Sequence, residues 1–136
     1  MARVYVERRE LPDDLRHLLT ADGAGAEYTP PIDVVETDAS IQILLDVPGV
    51  EAGQIDVVFS RNVLLITGEK TPVSADHADA AFHIAERAFG RFARAIALEG
   101  AFDAGKAVAT LTHGELRVIL PRVEERRGTR IKIPVL

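Results

Sequence analysis

The chain has 136 residues, no cysteine and a formal net charge of −5. This length suits one domain with short arms, and the lack of cysteine excludes disulfides, thiolate catalysis and cysteine-ligated zinc. The sequence shows no basic-then-apolar leader and no long apolar run. We therefore expect neither a signal peptide nor a membrane span, and we expect a cytoplasmic location.

The charges are unevenly distributed along the chain. Residues 1–31 carry a net charge of −2, residues 32–121 a net charge of −6 and residues 122–136 a net charge of +3. Opposite signs on body and tail favour contact between the tail of one molecule and the body of another. They argue against nucleic acid as a partner, because phosphates need a basic face. The alternative is a tail that is simply solvated.

The N-terminal part of the chain predicts a short amphipathic helix. Pro12, Asp13 and Asp14 fit a first helical turn, and four leucines recur at the spacing of one helical face. These are Leu11, Leu15, Leu18 and Leu19. A helix of about two turns is marginal alone in water, so its leucine face needs a partner. Residues 21–26 read as a flexible linker.

From Ile32 onward the hydrophobic period changes to two, which predicts short strands separated by turns. Strands at this spacing indicate an all-β sandwich. The segment from Val63 to Thr67 is apolar on both faces and is predicted to be central or covered. The predicted one-sided sets are Ile32/Val34, Ile41/Ile43/Leu45, Ile55/Val57/Phe59, Phe92/Ile96/Leu98 and Leu116/Val118/Leu120.

Residues 70–81 interrupt the strand rhythm with a polar, alanine-rich stretch. A connection of this length inside a compact domain is usually functional or disordered. Phe82, His83 and Ile84 then predict a short strand. Its apolar side chains are free either to pack on their own domain or to reach another chain.

The C-terminal residues 131–136 form a segment that we call the tail. In an extended strand Ile131 and Ile133 point to the same side while Lys132 faces water, and Pro134 has no amide with which to continue a ladder. The spacing leaves two possibilities equally open. The tail docks on another molecule, or it is the last edge strand of its own sheet.

No set of residues predicts catalysis, and we expect no cofactor and no metal. Residues 100–107 match a phosphate-binding loop as far as Lys106, but Ala107 replaces the required Ser or Thr, and a strand is predicted where the motif needs a helix. The four histidines lack metal-ligand spacing and are predicted to be solvated: His17, His77, His83 and His113. The strand carboxylates Asp33, Glu36 and Asp46 are predicted to point outward.

Five motifs and the tail occur in the order found in the α-crystallin domain of small heat-shock proteins, which residues 30–136 resemble. The motifs are residues 31–36 (PIDVVE), 46–50 (DVPGV), 65–69 (LITGE), 86–92 (ERAFGRF) and Ala109 with Gly114 and Leu116, and the Ile-Lys-Ile sequence is similar to the family's C-terminal anchor. The resemblance divides the chain into an N-terminal arm (1–29), an immunoglobulin-like β-sandwich (30–122) and a C-terminal extension (123–136). The chain departs from the pattern at Leu98-Glu99-Gly100, where Leu-Pro is usual.

The resemblance implies a holdase, a chaperone that binds unfolding client proteins without ATP, and a homodimer that assembles into a larger homo-oligomer. In the implied dimer Phe82, His83 and Ile84 pair with a neighbour's strand at Ile32 and Val34. The implied anchor residues Ile131 and Ile133 enter a neighbour's groove, for which we predict a lining of Val57, Phe59, Val108 and Thr110. Leu11, Leu15, Leu18 and Leu19 would form the client-binding arm. The alternatives are a monomeric or dimeric co-chaperone-type adaptor and an enzyme on the same fold.

Overall fold

The computed structural model describes residues 27–72, 79–123 and 131–136. The predicted leucine-faced helix, with Leu11, Leu15, Leu18 and Leu19, lies outside the described residues, as do His17 and His77.

The described residues form eight strands and two single-turn 3₁₀-helices. The strands are β1 (Ile32–Glu36), β2 (Ser40–Asp46), β3 (Ile55–Ser60), β4 (Val63–Lys70), β5 (Gly90–Ala97), β6 (Val108–Thr112), β7 (Glu115–Pro121) and β8 (Ile131–Ile133), and the 3₁₀-helices are Ala52–Gln54 and Ala104–Lys106. They build two antiparallel four-stranded sheets with strand orders β1-β2-β7-β6 and β5-β4-β3-β8. The predicted all-β, immunoglobulin-like sandwich is confirmed.

The core lies between the two sheets and follows the period-two pattern of the sequence. In β2 and β7 alternate residues are buried, and the residues between them are partly or fully exposed. The fully buried large side chains are Ile41, Ile43, Leu45, Leu64, Leu65, Ile66, Phe92, Ile96, Leu116, Leu120 and Ile133. The predicted outward carboxylates Asp33, Glu36 and Asp46 are exposed.

Strand β4 is buried on both faces, as its sequence predicts. Leu64 and Ile66 pack in the central core, while Val63 and Leu65 belong to a second, separate cluster with Val58. This second cluster therefore lies on the outer face of the β5-β4-β3-β8 sheet.

Two hairpins close with two-residue turns. Arg61 and Asn62 connect β3 to β4, and His113 and Gly114 connect β6 to β7. All four residues have positive φ, between 49° and 77°, which is the geometry that matches the twist of paired antiparallel strands. Both turns separate segments that the sequence predicts to be strands.

Gly68 allows an aromatic ring to lie directly on β4. A Cβ atom at this position would lie 2.3 Å from Cζ of Phe92 and 2.8 Å from the backbone oxygen of Gln54, so no other residue fits without movement. Gly68 lies inside β4, which continues to Lys70. The glycine is needed for packing rather than for a turn.

Tyr28 packs edge-on against Phe92, with ring centroids 5.6 Å apart. Its hydroxyl oxygen is buried and has no hydrogen-bond partner among the described residues. Burial raises the pKa of the Tyr28 hydroxyl above its ordinary value, because the phenolate would lose its hydration.

Replacing Tyr28 with Phe is expected to raise the free energy of unfolding by about 1 kcal/mol at neutral pH, because the variant buries no unpaired hydroxyl. The raised pKa adds a pH dependence: the wild-type chain loses stability as pH rises above about 10, where the unfolded tyrosine ionises first. The variant has no ionisable group at position 28, so its free energy of unfolding should fall less over the same pH range. Urea unfolding of both proteins at pH 7 and above pH 10 measures the two differences. A less stable variant at pH 7 would contradict this account.

Candidate assembly interface

The tail residues Ile131–Ile133 form β8, which pairs antiparallel with β3 of the same chain. Ile131 lies opposite Phe59 and Ile133 opposite Val57. Ile133 is only 2% exposed, Ile131 is half-buried and Lys132 is exposed. The predicted alternation, with two isoleucines on one side and the lysine in water, is confirmed.

Beyond Pro134 the chain crosses from one sheet to the other. Val135 forms a parallel bridge with Ala109 of β6, and the amide of Leu136 donates to the carbonyl oxygen of Ala109 at 2.8 Å. The amide of Leu111 in turn donates to the carbonyl oxygen of Leu136 at 3.0 Å. The tail therefore closes the gap between the free edges of β3 and β6. We call this gap the tail groove.

Within the single chain the tail is thus the last edge strand of its own sheet, which is one of the two possibilities that the spacing left open. It lies at the two strand edges predicted to form the groove. Val57 and Phe59 are buried beside it, and their role in accepting a neighbour's tail stays a prediction.

On β6 the groove is contacted by Ala109 and Leu111 rather than by Val108 and Thr110. Ala109 is fully buried, whereas Val108 is 45% exposed and Thr110 lines the outer surface with Thr112 and Arg117. In the single chain, Val108 and Thr110 thus lie on the side of β6 that faces away from the tail, and their predicted part in lining a neighbour's groove is not tested by the single chain. The register between β6 and β7 could have indicated the inward side of β6. Ala109 pairs with the buried Val118, so the two side chains point in the same direction.

One ion pair accompanies the tail. Nζ of Lys132 lies 3.1 Å from Oδ1 of Asp56, with both side chains largely exposed. Exposed pairs of this kind contribute roughly 0–1 kcal/mol. Burial of the two isoleucines is therefore the main interaction that holds the tail in the groove.

The connection between β4 and β5 presents a second apolar surface. Phe82 and Ile84 are 68% and 76% exposed, and they line a shallow groove together with Pro72, Ala85 and Phe89. The prediction of a strand at residues 82–84 is wrong for the single chain, which has no regular structure there. A segment of three residues becomes a strand only where it pairs with the edge of a sheet.

The end of this connection is fixed to the domain by cation–π contacts. Nζ of Lys70 lies 5.3 Å from the centroid of the Phe89 ring, and Cζ of Arg87 lies 4.9 Å from it. Lys70 is itself buried. Lys70 and Gly90 are paired across the hairpin, so the two ends of the connection lie side by side.

β1 is an edge strand of its sheet and pairs with β2 among the described strands. Ile32 and Val34 are half-buried and pack against the core, while Val35 is exposed. The guanidinium of Arg122 forms an ion pair with Glu36 and lies 5.3 Å from the centroid of Phe102. These contacts fix the end of β1, whose other backbone edge is the place predicted to accept a neighbour's residues 82–84.

The segment that partly matches a phosphate-binding loop has a different structure. Phe102 is buried, Ala104–Lys106 is a single 3₁₀ turn, and Oδ1 of Asp103 accepts a hydrogen bond from the Gly105 amide at 3.0 Å. The Asp103 carboxylate thus accepts the hydrogen bond of a backbone amide that a phosphate-binding loop would need for the phosphate. The segment is not built to hold nucleotide.

Polar side chains do not assemble into a reactive cluster in the described part of the chain. His83 and His113 are exposed, and no three His, Asp or Glu residues among those described lie close enough to hold a metal ion. No helix within residues 27–72, 79–123 and 131–136 has the length and apolar character needed to cross a bilayer.

The described residues define a β-sandwich module whose distinctive features are apolar contact surfaces at strand edges. The sequence model of the Hsp20/alpha crystallin family matches residues 33–136. The chain therefore belongs to the Hsp20/alpha crystallin family, that of the small heat-shock proteins.

Individual relatives agree with this assignment. The chain is 30% identical to small heat shock protein C4 of Rickettsia felis over 105 residues, which cover 77% of this chain and 64% of that protein. Heat shock protein 16.0 from Schizosaccharomyces pombe is similar in structure, with a TM-score of 0.71 and 27% identity over 91% of this chain and 80% of that one. A small heat-shock protein from Xylella fastidiosa gives a TM-score of 0.65 and 29% identity over 79% and 98% of the two chains.

Proposed function

We propose that this protein is an ATP-independent holdase that binds unfolding client proteins and prevents their aggregation. The observation that carries the proposal is the tail groove, where two strand edges hold an Ile-x-Ile segment by apolar burial and short backbone hydrogen bonds. Such a groove suits reversible exchange of apolar segments, which is what assembly and client capture require. The small heat-shock protein family supplies the class of activity.

The proposed assembly is a homodimer that forms a larger homo-oligomer. In it, Phe82, His83 and Ile84 add to the free edge of a neighbour's β1, at Ile32 and Val34. This proposal is supported by the exposure of Phe82 and Ile84 and by the edge position of β1. The Xylella fastidiosa relative is described as having a distinct high order structure.

The tail would link dimers by entering a neighbour's groove in place of its own. The groove and its contacts remain the same in either arrangement, and only the path of residues 124–130 differs. Seven residues span at most about 25 Å, so exchange is limited to adjacent subunits. This is domain swapping of a terminal strand, which needs no new interface chemistry.

The strength of a single tail explains why the assembly would be dynamic. Burying each isoleucine gains about 1.5–3 kcal/mol before ordering costs, and a net binding energy of about −4 kcal/mol corresponds to a millimolar dissociation constant. One tail binds weakly, whereas many tails in one particle bind well through effective concentration. Subunits can therefore exchange and expose apolar surface intermittently.

The client-binding arm is proposed to be the leucine face of Leu11, Leu15, Leu18 and Leu19, working without cofactor or metal in the cytoplasm. The linker that follows these residues would let the arm reach clients of different shapes.

Light scattering of a heat- or reductant-unfolded client tests the proposed function directly. We expect suppression of aggregation at a subunit excess over client, with the same extent in the presence and absence of ATP, because residues 100–107 do not form a nucleotide site. Strict dependence on ATP, or no suppression at that excess, would refute the holdase proposal. An enzyme on this fold would instead show ligand-dependent melting in a screen of nucleotides and metals.

A further inference from the structure

The tail pairs with both sheets. Ile131–Ile133 pair with β3, and two residues further on Val135 bridges to Ala109 of β6, while Leu136 forms hydrogen bonds with the same strand. Pro134, which has no amide to donate, lies where the segment leaves the edge of one sheet for the edge of the other. The tail therefore has two pairing regions, and the Ile-x-Ile sequence supplies only the first.

Val135 adds a third apolar contact to those of the two isoleucines. Exposure alternates along the tail: Ile133 is buried in the central core, Ile131 and Val135 are partly buried against it, and the residues at positions 132, 134 and 136 are exposed. An extended segment shows this alternation when one of its sides lies in a groove. The tail groove thus has three apolar positions, and we call the one that Val135 occupies the third site.

The third site lies beside β6, on the inward side of that strand. Ala109, the bridge partner of Val135, is fully buried, and Leu111 packs against the central core. A side chain at the position of Val135 therefore enters apolar surroundings. A carboxylate placed there would lose its hydration, which costs far more than an apolar contact gains.

A second segment of the chain has the pattern that the first pairing region recognises. Residues 82–84 (FHI), like residues 131–133 (IKI), have a polar residue between two apolar ones, and Phe82 and Ile84 are 68% and 76% exposed. A groove that recognised only two apolar side chains and a run of backbone would accept either segment, because backbone pairing does not depend on sequence. Assembly would then place the β4–β5 connection where the tail belongs.

The residues that follow each segment distinguish the two. The position that Val135 has in the tail is taken by Glu86 in the connection. If residues 82–86 entered the groove in the register of the tail, the carboxylate of Glu86, which is exposed in the single chain, would have to occupy the third site. Specific interfaces commonly reject a wrong partner in this way, by burying a charge that has no counterpart.

We propose that the third site selects the tail for the groove and excludes residues 82–86, with Val135 and Glu86 as the residues that decide between them. The inference rests on the proposed function, in which both segments bind a neighbouring subunit, and it adds the rule that sorts them. The tail enters the groove between β3 and β6, and the β4–β5 connection is left for the edge of β1. The ligand of the groove is then an extended segment with apolar residues at three alternate positions.

Two adjacent substitutions in the full-length chain test the third site. Val135→Glu places a carboxylate in the site, and Leu136→Glu places it on the next residue, which is 74% exposed. The amide of Leu111, which donates to Leu136, reports whether the second pairing region is formed. Hydrogen exchange of this amide, measured by mass spectrometry with electron-transfer fragmentation, is expected to be at least about tenfold faster in the first variant and unchanged in the second. Equal exchange in the two variants, slow or fast, would overturn the third site.

Peptides test the selection itself. Four labelled peptides are titrated into the full-length Ile131→Ala, Ile133→Ala protein, whose own tail no longer fills the groove: residues 131–136, the same peptide with Val135→Glu, residues 82–87, and the same peptide with Glu86→Val. By fluorescence anisotropy we expect the first and the last to bind at least about tenfold more tightly than the glutamate-containing version of each. The gain expected from Glu86→Val is the sharper result, because damage to the peptide or the protein cannot produce it.

The outcomes separate this inference from the proposed function. If residues 131–136 bind and the glutamate makes no difference in either pair of peptides, selection by the third site is wrong, while the groove keeps its proposed role in assembly. Binding of residues 82–87 as tight as that of the tail peptide would overturn the selection in the same way. If no peptide binds, the inference and assembly through the tail both fail. If the double isoleucine variant does not fold, the exchange measurement in the otherwise native chain decides.

Discussion

Replacing both Ile131 and Ile133 with Ala is expected to dissociate the assembled protein into dimers that remain folded. Ile133 is almost fully buried, and loss of such a side chain costs about 2–5 kcal/mol, whereas the half-buried Ile131 contributes less. This loss is comparable to the whole net binding energy of one tail, about −4 kcal/mol. Light scattering coupled to size-exclusion chromatography measures the particle mass, and circular dichroism checks that the dimers are folded.

Lys132→Ala is the matched control, because it lies between the two isoleucines and removes only the exposed contact with Asp56. We expect its particle mass to equal that of the wild type. If the tail stays in its own groove in every subunit, the double isoleucine variant would instead melt at a lower temperature with an unchanged particle mass. That result would refute the role of the tail in assembly.

Deleting residues 72–83 is expected to leave a folded β domain that no longer forms its normal dimer. The β4–β5 hairpin does not need these residues, because Lys70 and Gly90 are paired and the remaining residues suffice to join them. The deletion keeps Arg87 and Phe89, whose contacts fix the end of the connection. It removes Phe82 and His83 from the proposed contact with a neighbour's β1.

A milder change separates the apolar contact from the length of the connection. Phe82→Ser with Ile84→Ser removes two exposed side chains, each of which would gain about 1.5–3 kcal/mol if buried in a partner. His83→Ser is its control. Native mass spectrometry should show loss of the dimer in the deletion and weakening in the double variant. An unchanged dimer after the deletion would show that this connection does not pair with a neighbour.

Much of the sandwich could be predicted because strands such as β2 and β7 alternate between buried and outward residues. The inward residues of β2 and β7 and the two-residue turn at His113 and Gly114 follow directly from pattern and turn chemistry. The two-sided burial of β4 was predictable from its unbroken apolar run. In each of these elements the side-chain pattern alone determines the local structure.

The groove lining and the residues at 82–84 could not be predicted as well, because both depend on pairing between distant segments. β6 has small and branched residues on both sides, so Val108 and Ala109 differ in burial only through their register with Ile119 and Val118. Residues 82–84 have strand-like composition but do not form a strand in the single chain. The contacts of Ala109 and Leu111 with the tail are made by backbone atoms, which leave no mark on residue type.

Native mass spectrometry of the full-length protein at micromolar concentration tests the central claim, which is assembly through the tail and the β4–β5 connection. The account predicts masses at even multiples of the 14.8 kDa chain, extending well above the dimer, and mixing of subunits between isotopically labelled and unlabelled particles without ATP. A single species at the mass of the monomer would contradict the account and favour the adaptor on the same fold.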